Sequence, residues 1–385
     1  MRPYSLAMLV ILAIAGHAVG EEDFSIILLP DTQKYAESYP EIFVSQTEWI
    51  VNNVDALNIA FVTHLGDIVE HGGFGPGGNG DNSVEWDRAN AALSMLDGHV
   101  PWGLVLGNHD FDLWYAPSAG SQYFLERFGA PRFTDQPWFG GWSPDGYNAA
   151  QFFVGGGRRF LNLHLVPDVP PWALAWAQSM IDSNPGVPTM ISTHIYMKEN
   201  GRTRFPYMNM YDPNWGGISG NAIFEQLVKP NPQVFLVVCG HIAFERFQTS
   251  VNNLGQPVLE MLTDYQLRPL GGNGLLRILR FSPSANAIYA STYSTWYQTF
   301  ETDDDSEFTI SLDFARLGPV AGDTNCDGSI DFGDIDPFVL ALSSADDYAV
   351  AFPNCRRYTA DCDFNGQVDF MDIDAFVARL GAGLR

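Results

Sequence analysis

The chain has 385 residues, 46% of them hydrophobic and 14% aromatic, a length that favours two domains and a composition ample for a sizeable core. Its 20 Lys and Arg against 45 Asp and Glu give a net charge of -25, which argues against nonspecific nucleic-acid binding, since that rests on cationic neutralisation of phosphates. The same balance suits an extracellular protein with sites for hard cations.

Arg2 precedes the apolar stretch Leu6 to Ala15, and small residues follow at Ala18-Val19-Gly20. This is the pattern of a secretory signal peptide, too short to span a bilayer as a mature helix, with cleavage after Ala18 or Gly20. Residues 1–20 are therefore assigned to a signal peptide, and the mature protein is expected to be secreted, periplasmic or at the cell surface. No later segment is long and apolar enough to be a transmembrane span. Cys239 lies in an apolar run and reads as a buried thiol, whereas two of Cys326, Cys355 and Cys362 are expected to pair in an oxidising compartment. The sequence leaves the choice between them open.

Phe24 to Leu29 is a strand-like run ended by Pro30-Asp31-Thr32-Gln33. Helical spacing follows from Glu41 to Leu57, with Ile42, Phe43, Trp49, Ile50 and Leu57 on one side. Ile59 to Val62 is a second strand, ending at Gly66-Asp67, and a glycine-rich loop runs from Gly72 to Gly80. Ser83 to Leu96 has helical character with Ser83 as an N-cap. The third apolar run ends abruptly in Leu104-Val105-Leu106-Gly107-Asn108-His109-Asp110. Residues 111 to 160, rich in Trp, Phe, Gly and Pro, read as long loops. Further strands are Thr189 to Thr193, ending at His194, and Val234 to Cys239, ending at Gly240-His241; Leu275 to Phe281 and Ala287 to Thr292 follow. Strand, loop, helix and strand repeated in this way predict an α/β fold with parallel pairing, in which ligands sit at the strands' C-terminal ends.

Five strand ends thus deliver Asp31, Asp67, Asn108, His194 and His241. One such residue would mean little, since a lone His or Asp after a strand is more often structural. Carboxylate, amide and imidazole together suit a first-row divalent pair, which can activate a water and clamp a phosphoryl group. Asp67 is placed to bridge two ions. His109, with an imidazole that titrates near neutrality, is left to contact phosphate or protonate a leaving oxygen. His64 and His164 read as structural, and His71 is undecided.

The motifs LPDTQ (29–33), HLGDIVE (64–70), LGNHD (106–110), STH (192–194) and CGHIAFER (239–246) resemble, in this order, those of the calcineurin-like metallophosphoesterases. TDYQ (263–266) and GGNG (271–274) add to the likeness with the bacterial branch that begins Pro-Asp-Thr-Gln. The resemblance covers roughly residues 24–315 of the domain assigned to residues 21–315, and implies a four-layer α/β sandwich with a dinuclear metal site on the common edge of two sheets. It implies that Asp31, Gln33 and bridging Asp67 hold one metal, and that Asp67, Asn108, His194 and His241 hold the other. His109 and Asp110 take the catalytic roles, with Asp110 holding the His109 imidazole. The substrate class implied is a phosphomonoester or phosphodiester, hydrolysed with Mn, Zn or Fe. Gln33 stands where many relatives have His, and Ala243 stands where many have the second His of Gly-His-x-His. The first seat is therefore expected to be weak or empty and the second tight, with Glu245 as a neighbour that could substitute. The alternative function is a degenerate member that binds a phosphate-bearing ligand or a protein without turnover.

After a linker at residues 316–322, the segment 323–385 contains an internal repeat. Asp323, Asn325, Asp327, Ser329, Asp331 and Asp334 follow EF-hand calcium-loop spacing, as do Asp361, Asp363, Asn365, Gln367, Asp369 and Asp372; Gly328 and Gly366 occupy the sharp-turn position. The repeat resembles a type I dockerin, which implies a small all-α double EF-hand-like domain that binds calcium and docks onto a cohesin-like or cell-surface protein partner. Positions 10 and 11 are Phe332-Gly333 and Phe370-Met371 rather than Ser or Thr pairs, a departure from the usual cohesin-recognition residues.

Overall fold

The computed structural model describes residues 22–73 and 83–383. The stretch read as a signal peptide and most of the glycine-rich loop lie outside the described residues. Among the described residues, no helix is long and apolar enough to cross a membrane.

The strands, in chain order, are β1 (Phe24–Leu29), β2 (Ile59–His64), β3 (Trp102–Leu104), β4 (Phe139–Trp142), β5 (Ala149–Gly155), β6 (Arg158–Leu165), β7 (Thr189–Thr193), β8 (Met197–Lys198), β9 (Gly201–Arg202), β10 (Val234–Cys239), β11 (Glu245–Val251), β12 (Pro257–Thr263), β13 (Leu275–Ser282), β14 (Ala287–Ser294), β15 (Thr299–Glu301) and β16 (Glu307–Ser311). One sheet runs β15-β14-β13-β1-β2-β3 with β16 also on β14, and the other runs β11-β12-β10-β7-β6-β5-β4. β1, β2 and β3 pair in parallel, as do β6, β7, β10 and β12. The flanks are antiparallel, so the fold is mixed α/β rather than parallel throughout.

Alternation along β1 explains how the sheets meet. Phe24, Ile26 and Leu28 point into a core shared with Phe153, Phe160, Met190, Phe235, Leu236 and Val238 of the other sheet. Ile27 and Leu29, on the opposite face, join a core that includes Ile42, Phe43 and Ile50 of helix Pro40–Asn53 and Trp86 and Ala89 of helix Ser83–Leu93. On the second sheet, Leu161, Leu163 and Ile191 pack with Ala173, Ala177 and Ile181 of helix Pro171–Ser183. The two sheets therefore lie face to face with helices outside them. The parallel strands β1, β2 and β3 and the parallel pair β7 and β10 deliver their C-terminal ends to one edge.

Two sequence expectations are corrected. Residues 111–160, read as loops, contain helix Gln122–Phe128 and supply β4, β5 and the start of β6; the run of glycines at 155–157 is the tight turn of the β5–β6 hairpin. β3 closes at Leu104, so Val105 and Leu106 already belong to the turn that carries Gly107.

Past Phe314 the chain forms helical elements, including Ile335–Ser343, Ala345–Ala351 and Asp372–Gly383. They enclose a small separate core in which the Phe338 and Phe376 rings stack at 3.9 Å. The disulfide joins Cys326 to Cys355, while Cys239 and Cys362 are buried free thiols. The segment expected to be a linker is packed: Leu317 enters the inter-sheet core, and Ala321 N–H donates to the Gly157 carbonyl.

Candidate metal centre

Parallel strands end here in tight turns whose backbones approach one another closely. A Cβ at Gly107 would meet both the amide nitrogen and Oδ1 of Asp67 at 2.1 Å, and one at Gly240 would meet Asp31 Oδ1 at 2.2 Å. Only glycine fits at such distances. Asp67 (φ 49°) and His241 (φ 74°) hold left-handed conformations that L-residues seldom adopt, and such strain concentrates at functional sites.

Asp67, His194 and His241 each place a ligand atom within 4.8 Å of the other two. Asn108 joins them, its Oδ1 lying 3.0 Å from His194 Nε2, which is itself 3.3 Å from Asp67 Oδ1. His194 Nδ1 donates to the Leu65 carbonyl at 2.8 Å, so its Nε2 faces the centre. Asp67, Asn108 and His194 are essentially inaccessible to solvent, and Asn108 Nδ2 has no hydrogen-bond partner. Among the described residues no Lys or Arg ion pair reaches these carboxylates; the partners of Asp67 are His109 and His194.

The electrostatics are those of a buried carboxylate site compensated by imidazoles rather than by Lys or Arg. Burial would raise the Asp67 carboxyl, but the imidazoles of His194 and His109 hold it well below the usual range. Burial would lower His194, yet Asp67 and Asp31 push it up to about 10, so that its proton serves as the local positive charge. His241 is pushed down to about 3 by burial and by His194. The donor set of carboxylate, amide oxygen and two imidazoles fits a first-row divalent ion in place of that proton.

Asp31 is buried beside this group and accepts from the His241 N–H at 3.2 Å. Burial, and then Asp264, push its carboxyl well up. Gln33 is also buried, with no partner for its Oε1. Gln266 Nε2 lies 3.3 Å from Asp31 Oδ2 and 2.8 Å from Asp264 Oδ2. Asp264 and Gln266 fall within TDYQ, a motif noted in the sequence without a role for either residue. Glu245, considered above as a substitute ligand, is engaged elsewhere: it pairs with Arg277 and Arg268 and accepts from Tyr265 and Thr292.

His109 donates its main-chain N–H to Asp67 Oδ1 at 2.9 Å, and its ring Nδ1 lies 2.8 Å from the Glu70 carbonyl. Nδ1 is therefore the protonated nitrogen, and Nε2, 4.0 Å from Asp67 Oδ2, faces the centre. Asp110 does not hold this imidazole, contrary to the sequence expectation. Its carboxylate accepts from the backbone N–H groups of Gly107, Ile68 and Val69, tying the turns after β2 and β3 together. Burial and then Asp67 push Asp110 up to about 7. His64 and His164 are buried and pushed down to about 3, burial being the main cause, and they bond Thr32 and Thr63 respectively. His71 pairs with Glu85 at 2.8 Å.

An aromatic rim surrounds the opening. Trp114, half-exposed, stands 5.3 Å from the His109 ring; Tyr207 stands 5.3 Å from His241, and Tyr115 lies 4.6 Å from Tyr211.

In the C-terminal repeat the two loops have matching geometry. Gly328 N–H donates to Asp323 Oδ2 at 3.1 Å and Gly366 N–H to Asp361 Oδ2 at 3.0 Å. Asp334 and Asp372, at position 12, each accept main-chain N–H groups from position 2 of their own loops, both at 2.7 Å. Asp361, Asp363 and Asp372 have oxygens within 4.8 Å of one another. Asn325, Asp327, Asp331, Asn365 and Asp369 each accept the main-chain N–H two residues further on, which folds both loops back on their own side chains.

A family model described as calcineurin-like phosphoesterase matches residues 24–244. The uncharacterized protein YvnB of Bacillus subtilis (strain 168) is 31% identical over 303 residues, which cover 75% of this chain and 22% of that protein. The chain thus spans about a fifth of the length of this curated relative. Among solved structures, a dimetal phosphatase from Danio rerio is 11% identical, with 75% of this chain and 99% of that one covered and a TM-score of 0.44. GAP50, the anchor in the inner membrane complex of Plasmodium, is 10% identical, with 77% and 95% covered and a TM-score of 0.41.

Proposed function

Because the chain belongs to the calcineurin-like phosphoesterase family, we propose that it is a metal-dependent hydrolase of a phosphomonoester or phosphodiester. The observation that carries this reading is the convergence of Asp67, His194 and His241, with Asn108 beside them, next to the free Nε2 of His109. Asp67, Asn108, His194 and His241 would hold a divalent ion such as Mn, Zn or Fe, which supplies water activation and polarisation of a phosphoryl oxygen. His109 contacts the phosphoryl group or protonates the leaving oxygen through Nε2, while the Glu70 carbonyl keeps the ring in register. The buried Asp110 fixes the two turns that carry Asp67 and His109.

In this reading the protein is exported, and the loops at 323–334 and 361–372 bind calcium and support docking to a protein partner. The matched loop geometry and the exposure of Phe332, Phe370 and Met371 favour that role. Turnover of an aryl phosphate and an aryl phosphodiester after addition of Mn or Zn tests the enzymatic proposal. Release of the aryl alcohol from either, abolished by chelator, is the expected result. Metal bound without turnover of either substrate would instead favour a ligand-binding role.

A further inference from the structure

We propose that Asp264 completes the first metal seat, in place of the imidazole that Ala243 cannot supply; this rests on the reading of the edge as a metal centre. Three observations converge on Asp264. The first is topological. β12 lies beside β10 and runs parallel to it, with Cys239 opposite Leu262. Asp264 is the first residue beyond β12, just as His194 is the first residue beyond β7. It is therefore a sixth strand-end residue on the edge that presents Asp31, Asp67, Asn108, His194 and His241. Its N–H also donates to the Phe244 carbonyl at 3.2 Å, fastening it to the turn that contains Ala243.

The second observation is burial without a cationic partner. Asp264 is 2% exposed, as is Asp31. Among the described residues neither forms an ion pair with Lys or Arg, and a buried carboxylate in its charged form needs a positive partner. Asp264 Oδ1 accepts the Gln266 N–H at 2.8 Å, which fixes the carboxylate plane.

The third is what lies between the two carboxylates. The Gln266 amide nitrogen touches Asp31 Oδ2, Asp264 Oδ2 and the His241 carbonyl, all within 3.3 Å. Three oxygens directed at one point from β1, β10 and β12 form the kind of all-oxygen environment in which a neutral amide donor occupies the place of a cation. With Asp264 added, the seat would draw on the carboxylates of Asp31 and Asp264 and the shared carboxylate of Asp67, the metal displacing the Gln266 amide from between the first two. Gln33 Oε1, buried and unpartnered, remains as a neutral donor. An imidazole from the turn after β10 has been exchanged for a carboxylate from the end of the neighbouring strand. The seat is thereby harder and more anionic, and two metals should be retained rather than one.

The test is a zinc count on the full chain, loaded with zinc and dialysed with two equivalents of calcium, enough for the two C-terminal loops but not in excess over a hard carboxylate seat. Wild type should retain two equivalents and Asp264→Asn one, with unchanged circular dichroism. One equivalent in wild type, or two in the variant, would overturn the assignment. No zinc in either protein would overturn the metal-centre reading itself. Should Asp264→Asn fail to fold, anomalous diffraction from zinc-soaked wild-type crystals decides the matter. A peak about 2.1 Å from an Asp264 oxygen supports the proposal, and a zinc held by Asp31 and Asp67 with Asp264 turned away refutes it.

Discussion

The His109 imidazole is held by the main chain of Glu70, whose carbonyl oxygen lies 2.8 Å from Nδ1. The carbonyl fixes the tautomer and leaves Nε2 beside Asp67, while the Glu70 carboxylate lies 3.8 Å from the same Nδ1. His109→Ala removes that nitrogen but no atom of the Asp67, Asn108, His194 and His241 set. It should lower kcat by roughly 10² or more while zinc content stays at the wild-type level. Parallel loss of zinc and activity would place His109 among the ligands instead.

Asp110 should behave differently. Its oxygens accept from Gly107, Ile68 and Val69 N–H groups, so Asp110→Asn turns an amide NH₂ toward at least one donor. A buried donor left facing a donor costs about 1–3 kcal/mol. The melting temperature should therefore fall, with zinc retention falling as the turns loosen. An unaltered melting temperature combined with a displaced pH–rate profile would restore Asp110 to a role on the imidazole.

The five strand-end candidates were legible because buried parallel strands are short apolar runs, and the turn glycines Gly66, Gly107 and Gly240 mark where three of them stop. β12 was not legible for a specific reason. Its run is interrupted by Glu260, which is fully buried yet paired with Arg202 and bonded to Tyr196, both at 2.7 Å. Sequence pattern cannot see a partner 58 residues away, so the strand and the placement of Asp264 at its end were missed together. The misplaced role of Asp110 has a similar origin. Adjacency in Asn108-His109-Asp110 suggests a side-chain pair, but the turn directs Asp110 back at the backbone. The repeat of the two acidic loops was legible because each loop satisfies its own backbone with side chains a few residues away.

Glu245 supplies a counterpart to the Asp264 test. It is buried against Arg277, which is 1% exposed, and it also binds Arg268. Glu245→Gln leaves the Arg277 charge without its carboxylate, and breaking a buried pair from one side typically costs about 3–5 kcal/mol. Urea unfolding should register that loss. The zinc count of the folded fraction should not change; a missing equivalent would make Glu245 a ligand after all.

The calcium binding proposed for the C-terminal loops should depend on pH in a particular sense. Burial pushes Asp323 up to about 6 against the Gly328 N–H, with Asp334 and Asp327 adding to the rise. Burial likewise pushes Asp361 up to about 6, opposed by Arg159 and reinforced by Asp372 and Asp363. Without calcium, a folded value above the unfolded one means a contribution to stability that is full below the unfolded value near 3.8 and lost as pH rises through about 6. The calcium-free segment is therefore held least firmly at neutral pH, where its carboxylates are charged and repel one another. Calcium needs the charged forms, so it binds best where the empty loops are least stable. Titration calorimetry on the zinc-loaded full chain should show affinity falling roughly tenfold between pH 7.5 and pH 5, about one unit below those values. With chelator present, protease cleavage within 323–383 should be faster at pH 7.5 than at pH 5 once the protease's own pH dependence is normalised, and calcium should slow it mainly at pH 7.5. Equal calcium affinity at the two pH values would show that Asp323 and Asp361 are not the groups that give up protons to the ion.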